Sequence, residues 1–143
     1  MLKTVGVLLL CLAAVAFADE REELTCQEDR AKRLNATVTE SIIHLIPECD
    51  ENGDYAAKQC FTNSKWCVCY TRDGTNIGRP SMKIKACECV RQRHEANLSG
   101  ETYVPTCSDD GYYRPKQCNR DECWCVDKDG NSLTDPKTGD VTC

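Results

Sequence analysis

Twelve cysteines decide what this chain can fold into, and they come as two sets with nearly the same spacing. From residue 26 onward they stand at 26, 49, 60, 67, 69, 87, 89, 107, 118, 123, 125 and 143. The first six are separated by 22, 10, 6, 1 and 17 residues, the last six by 17, 10, 4, 1 and 17. The surrounding text repeats as well. Pro47-Glu48-Cys49, Gly53, Tyr55 and Lys58-Gln59-Cys60 answer Pro105-Thr106-Cys107, Gly111, Tyr113 and Lys116-Gln117-Cys118. Cys69 with Asp73-Gly74 answers Cys125 with Asp129-Gly130. Matches at so many fixed offsets identify a duplicated module, one copy at 26–87 and the other at 89–143. Copies of this size sit where a hydrophobic core alone is marginal, so crosslinks decide whether they fold.

The amino terminus points to export, which is what disulfides require. Lys3 precedes an apolar run from Val5 to Val15, and Ala16-Phe17-Ala18 is a small-x-small cleavage pattern, so 1–18 reads as a signal peptide. The run is too short to span a bilayer and ends in the acidic segment 19–25, which opens Asp19-Glu20-Arg21-Glu22-Glu23. Removal of 1–18 takes away Cys11, leaving an even set of twelve cysteines, and Lys3, taking the net charge from −5 to −5 − 1 = −6. Thirteen cysteines in 143 residues, about 9%, is the composition of a secreted disulfide scaffold. No further apolar run predicts a membrane span. The acidic balance excludes a nucleic-acid footprint.

Six cysteines allow fifteen pairings, and spacing narrows these without choosing one. Cys67 and Cys69, like Cys123 and Cys125, are separated by one residue, so in a strand both would face one side and should seek different partners. The short gap from Cys118 to Cys123 suits a closed hairpin loop. Only Glu88 separates Cys87 from Cys89, which predicts modules held at a restricted mutual angle. Thr25-Cys26-Gln27-Glu28 is a capping-box pattern opening a helix through about Leu34; Cys89 to Ala96 should be its less well capped counterpart. Strands are expected at Tyr55–Cys60, Trp66–Thr71, Tyr112–Cys118 and Trp124–Asp127, with turns at the glycines between them and the remainder as loop. The fold class is therefore a small disulfide-rich α+β, with a short helix and small antiparallel sheet in each module.

These residues resemble the thyroglobulin type-1 domain. Its hallmark of Pro-x-Cys, Gly and Tyr, Gln-Cys, then Cys-Trp-Cys-Val with Asp and Gly is complete in the second module as Pro105, Cys107, Gly111, Tyr113, Gln117-Cys118, Cys123-Trp124-Cys125-Val126-Asp127 and Gly130. The first module keeps Pro47, Cys49, Gly53, Tyr55, Gln59-Cys60, Cys67, Cys69 and Gly74 but reads Cys67-Val68-Cys69-Tyr70, with Trp66 displaced to just before the pair. The two-module layout is also similar to small thyroglobulin type-1 peptides of spider venom. The resemblance implies pairing in chain order: Cys26–Cys49, Cys60–Cys67, Cys69–Cys87, Cys89–Cys107, Cys118–Cys123 and Cys125–Cys143.

The family's inhibitory members, the thyropins, block papain-like cysteine proteases by inserting a wedge of three loops into the active-site cleft. Carried onto this chain, the resemblance implies loops at 36–46, 61–66 and 75–83 in the first module, and at 98–104, 119–122 and 131–139 in the second. The candidate contact residues are Ile42, Ile43, His44, Leu45, Trp66 and Tyr103; Tyr55 and Tyr113 read as scaffold. The expected function is a secreted, reversible, monomeric inhibitor whose partner is a papain-like cysteine protease. The alternative is a non-inhibitory protein-binding module or a venom toxin component. Asn35-Ala36-Thr37 and Asn97-Leu98-Ser99 are N-glycosylation sequons at Asn35 and Asn97. An enzyme is not expected, because two histidines and fully paired thiols leave no nucleophile arrangement. No cofactor is called for, and Cys-x-Cys in an oxidising compartment is not a zinc site.

Overall fold

The computed structural model describes residues 24–36 and 44–143. Helix α1 spans Cys26–Asn35, followed by strands β1 (Lys58–Cys60), β2 (Cys67–Tyr70) and β3 (Asn76–Ser81). Helix α2 (Glu88–Ser99) then opens the second half, followed by β4 (Lys116–Asn119), β5 (Glu122–Cys125) and β6 (Lys137–Thr138). Each triplet of strands forms an antiparallel sheet in chain order, β1-β2-β3 and β4-β5-β6. The fold class read from the sequence is the observed one: two tandem modules, each a helix, a small sheet and three disulfides.

Helix α1 starts where its cap dictates. Glu28 N donates to Thr25 Oγ1 at 3.3 Å, and Thr25 N donates to Glu28 Oε2 at 2.9 Å, which satisfies two of the otherwise orphaned donors. Acidic Glu28 and Asp29 in the first turn and basic Lys32 and Arg33 in the last complement the helix dipole. The helix buries only Cys26, so an apolar stripe does not hold it. The Cys26–Cys49 bridge does, helped by Arg30 Nη1 donating to Pro47 O at 2.6 Å and Arg33 Nη1 donating to Leu45 O at 3.2 Å. Helix α2 begins without a side-chain cap and runs to Ser99, where Gly100 in the left-handed region ends it. It outlasts the expected Ala96 end because the stop is Gly100, whose N–H bonds to Ala96 O.

The six bridges join Cys26–Cys49, Cys60–Cys67, Cys69–Cys87, Cys89–Cys107, Cys118–Cys123 and Cys125–Cys143. Cys60 lies opposite Cys67 across β1 and β2, and Cys118 opposite Cys123 across β4 and β5, so each short bridge pins a hairpin rung with Cα atoms 4.0 and 4.1 Å apart. All four residues of β2 are buried, as a central strand covered on both faces should be. The core of the first module is Cys26, Leu45, Tyr55, Val68 and Tyr70, with Cys49 and Phe61 against it.

Two strands differ from expectation. Loops are expected where β3 and β6 lie, because neither segment alternates in polarity; β3 is an exposed edge strand that carries Pro80, a position where a missing N–H costs no ladder bond. The expected early strand starts at Tyr55 and Tyr112 also retreat. Around these positions the backbone makes only isolated bridges, Cys49 with Tyr55 and Cys107 with Tyr113.

Two fully buried glutamines organise the modules. Gln59 Oε1 accepts from Glu48 N at 2.8 Å, while its Nε2 donates to Glu48 O and Ala56 O at 2.7 and 2.8 Å. Gln117 repeats this with Thr106 N at 2.9 Å and with Thr106 O and Arg114 O at 2.9 and 2.8 Å. Each side chain substitutes for a strand rung, clamping the Pro-x-Cys segment to its hairpin. In a buried amide this completely paired, the hydrogen bonds offset the cost of desolvation.

A buried cation anchors the junction between the modules, beside the exposed pairs Arg72–Glu95 and Lys85–Asp110. Arg91, on the first turn of α2, is 2% exposed. Its Nε donates to Tyr70 O at 2.8 Å and its Nη2 to Tyr55 O at 2.5 Å, both in the first module. Burial lowers its pKa from the ordinary value, but a guanidinium keeps its proton at neutral pH. Val90 packs beside it on the cluster of Ala57, Cys69 and Cys87. On the other side of the junction, Lys85 N and Ala86 N donate to Asp110 O at 2.8 and 3.0 Å.

Candidate functional site

The first module gathers its loops at one edge. Thr62 N and Thr62 Oγ1 donate to His44 O at 2.8 and 2.9 Å, joining the end of the first loop to the second. His44 Nδ1 lies 3.1 Å from the same hydroxyl. The second loop is closed by Phe61 N donating to Trp66 O at 2.9 Å and by the Cys60–Cys67 bridge, with Asn63 in the left-handed region at its tip. The third loop joins through the pairing of Cys67 with Ser81. That register brings Trp66 and Met82, the next residues outward, to the same end of the sheet. They are 44% and 61% exposed, so the edge presents an aromatic and a thioether side chain on a crosslinked frame.

The second module builds its edge differently. Its second loop is a turn between the paired Asn119 and Glu122, with Arg120 in the left-handed region. Gly139 N donates to Asp121 O at 2.9 Å, tying the third loop to the second. Leu133 and Leu98 are the exposed apolar residues here, at 66% and 75%.

The predicted contact residues separate. Trp66 is at the exposed edge. His44 is half-buried, its carbonyl accepting from Thr62 N and Thr62 Oγ1. Leu45 is corrected from a contact residue to a core residue: it is 6% exposed and packs with Cys26, Tyr55, Val68 and Tyr70, because Arg33 holds its carbonyl down on the helix. Tyr103 is turned inward as well. Its ring lies 5.2 Å from that of Trp124 and its hydroxyl donates to Gln117 Oε1 at 3.1 Å, and burial pushes its pKa up. Ile42 and Ile43 lie outside the described residues. Met82, Leu98 and Leu133 were not singled out by sequence; the signal available was a large apolar residue inside a polar loop.

Tyr55 is buried as scaffold, its hydroxyl donating to Asp29 Oδ2 at 3.1 Å. Burial pushes the Tyr55 hydroxyl up, whereas hydrogen bonding from Arg33 holds the Asp29 carboxyl below its ordinary range. Asn35 and Asn97 are exposed on α1 and α2. A cavity of about 870 Å³ bordered by Tyr112, Tyr113, Pro115, Val141 and Cys143 lies in the second module. Its cysteines are bridged, so it offers no thiol nucleophile. Among the described residues no group of His, Cys, Asp and Glu is arranged to hold a metal ion, and no helix is long and apolar enough to cross a membrane.

The thyroglobulin type-1 repeat model matches the chain twice, at residues 21–89 and 85–143. U20-hexatoxin-Hi1a of Hadronyche infensa is 37% identical over 144 residues, covering 96% of this chain and 97% of its own. U24-ctenitoxin-Pn1a of Phoneutria nigriventer is 36% identical over 118 residues, covering 79% and 89%. Equistatin of Actinia equina is 34% identical over 95 residues, covering 59% of this chain and 41% of its own. With both halves matched and the six-cysteine framework crosslinked in chain order within each, the chain is a member of the thyroglobulin type-1 family, built of two tandem repeats.

Proposed function

We propose that the chain is a secreted inhibitor that plugs the active-site cleft of a papain-like cysteine protease, with the first module's edge as the inserted surface. The observation that carries this reading is the three-loop edge itself, joined at His44–Thr62 and Cys67–Ser81 and presenting Trp66 and Met82. No covalent chemistry is needed. A rigid body that fills the groove leaves the catalytic thiolate without a carbonyl in attack geometry. Bridging the loops beforehand lowers the ordering cost of association, and protease–inhibitor contacts of ordinary size reach nanomolar affinity or better. Export follows the reading of 1–18 as a signal peptide and of the twelve remaining cysteines as bridged. Asn35 and Asn97 are proposed glycan acceptors, and the domains are proposed to run 26–87 and 89–143.

The test is titration of the oxidised protein against papain and a lysosomal cathepsin, repeated after reduction. Reversible inhibition that disappears on reduction is expected; no inhibition of either at micromolar concentration overturns the reading. The alternative, a toxin component that binds a protein without inhibiting a protease, is favoured by the two toxin-named relatives that align over most of the chain. It replaces the first reading if that titration fails.

A further inference from the structure

Within a chain of net charge −5, the exposed edge of the first module is cationic. Its second and third loops, 61–66 and 75–83, contain Lys65, Arg79 and Lys83 and no acidic residue, a local charge of +3; Glu40 in the first loop brings the three to +2. The corresponding loops of the second module, 119–122 and 131–139, hold Arg120, Asp121, Glu122, Asp135 and Lys137, which sum to −1.

Of the first module's other cations, all but Lys32 on α1 are engaged. Elsewhere in the first module Arg33 pairs with Asp29, Arg72 with Asp54 and Glu95, and Lys85 with Asp110. Arg30 and Lys58 donate to the carbonyls of Pro47 and Lys85. Lys65, Arg79 and Lys83 are exposed and enter no ion pair among the described residues. The pairing of Cys67 with Ser81 sets Lys65-Trp66 and Met82-Lys83 at the same end of the sheet. Two apolar side chains are thus flanked by unpaired cations.

We infer that the first module's edge is built for a protease whose cleft is rimmed by carboxylates, and that this charge match makes the first module the targeting half of the molecule. The inference rests on the inhibitor reading above and specifies its partner. Charge geometry selects a cleft over a flat anionic membrane. A concave acidic site focuses its field on an inserted tip, which a flat surface does not, while the acidic remainder of the chain beyond about 8 Å is screened from either. Charges at a rim act mainly through the association rate and its salt dependence.

The experiment compares association rates and inhibition constants for an acidic-surfaced lysosomal cathepsin, using three oxidised proteins first and a Gln variant of the edge as a fourth. The first three are the wild type, Lys65→Glu/Arg79→Glu/Lys83→Glu, and the charge-matched control Lys32→Glu/Arg93→Glu/Lys128→Glu. The expected result is a loss of about tenfold or more in association rate for the edge variant, a much smaller loss for the control, and weakening of the wild type between low and physiological salt. Intact disulfides by mass spectrometry establish folding of each variant, and a Gln triple variant at the edge should fall between wild type and the Glu triple. Wild-type inhibition unchanged in the edge variant overturns the inference while leaving the inhibitor reading standing. Absence of wild-type inhibition removes both. Binding to phosphatidylserine vesicles that the edge variant abolishes overturns the inference in favour of a membrane surface.

Discussion

Replacing Arg91 by alanine is the substitution whose consequences the structure defines most sharply. The guanidinium is buried and donates to two carbonyls of the first module, Tyr70 O at 2.8 Å and Tyr55 O at 2.5 Å. Hydrogen bonds from a charged donor contribute about 1.5–3 kcal/mol each, but the gain is offset by the desolvation of the cation. A net cost of about 2–4 kcal/mol at the junction is therefore expected for Arg91→Ala. Because every 1.4 kcal/mol is tenfold, that is an increase of about 30- to 1,000-fold in opening of the junction. Native-state hydrogen exchange reads it locally. Protection of Lys85 N and Ala86 N, which bond to Asp110 O across the same junction, should fall by that factor. Amides of the β1–β2 and β4–β5 hairpins, held by their own bridges, should not change. Arg91→Met, which keeps the stem and discards the charge, should cost less. Unchanged protection at Lys85 and Ala86 in Arg91→Ala would refute the claim that this cation holds the modules together.

Three further outcomes follow from the contacts of Gln59, Gly111 and Asp29. Gln59→Ala strips partners from Glu48 N–H, Glu48 O and Ala56 O; thermal unfolding should show a loss of about 2–4 kcal/mol, and a loss below about 1 would contradict the clamp. An alanine Cβ at Gly111 would lie 1.7 Å from Ala86 O, whereas at Gly53, with similar φ, nothing is within 4 Å. Gly53→Ala should thus cost only the backbone strain of about 1–2 kcal/mol and Gly111→Ala about 3 kcal/mol or more, and equal losses would refute a close junction. Hydrogen bonding from Arg33 lowers the Asp29 carboxyl, so the ionised form stabilises the fold above the ordinary carboxylate pKa of about 3.9 and fades as pH falls through the lowered folded value. Asp29→Asn should cost about 0.5–1 kcal/mol at neutral pH, a small figure because Arg33 is partly exposed, and the difference should close in strong acid; persistence there would refute the assignment.

Cysteine spacing made the architecture legible, because short crosslinked modules leave few alternatives, and the capping box placed the start of α1 at Cys26. Polarity patterning failed where tertiary contacts override it. Strand β3 carries a proline and little apolar alternation, and it exists because β2 needs a partner on its second side. The aliphatic run before Pro47 points to a contact surface, yet Leu45 packs inward with Cys26, Tyr55, Val68 and Tyr70, its carbonyl bonded to Arg33. Gln59 was visible only as a motif letter, and its burial depends on a polar pocket that forms after folding. Nothing local marks Arg91, since its acceptors lie 21 and 36 positions away in the chain. Trp66 was readable at the edge because a short disulfide loop has no interior to hide an indole, whereas Met82 needed the register of β2 with β3.

The most direct test is a hydrogen-exchange footprint of the oxidised protein with and without a saturating papain-like cathepsin. The account predicts new protection concentrated at 61–66 and 75–83, around Trp66 and Met82. Protection confined to the helices or to the second module, with those two stretches exchanging as in the free protein, would contradict it.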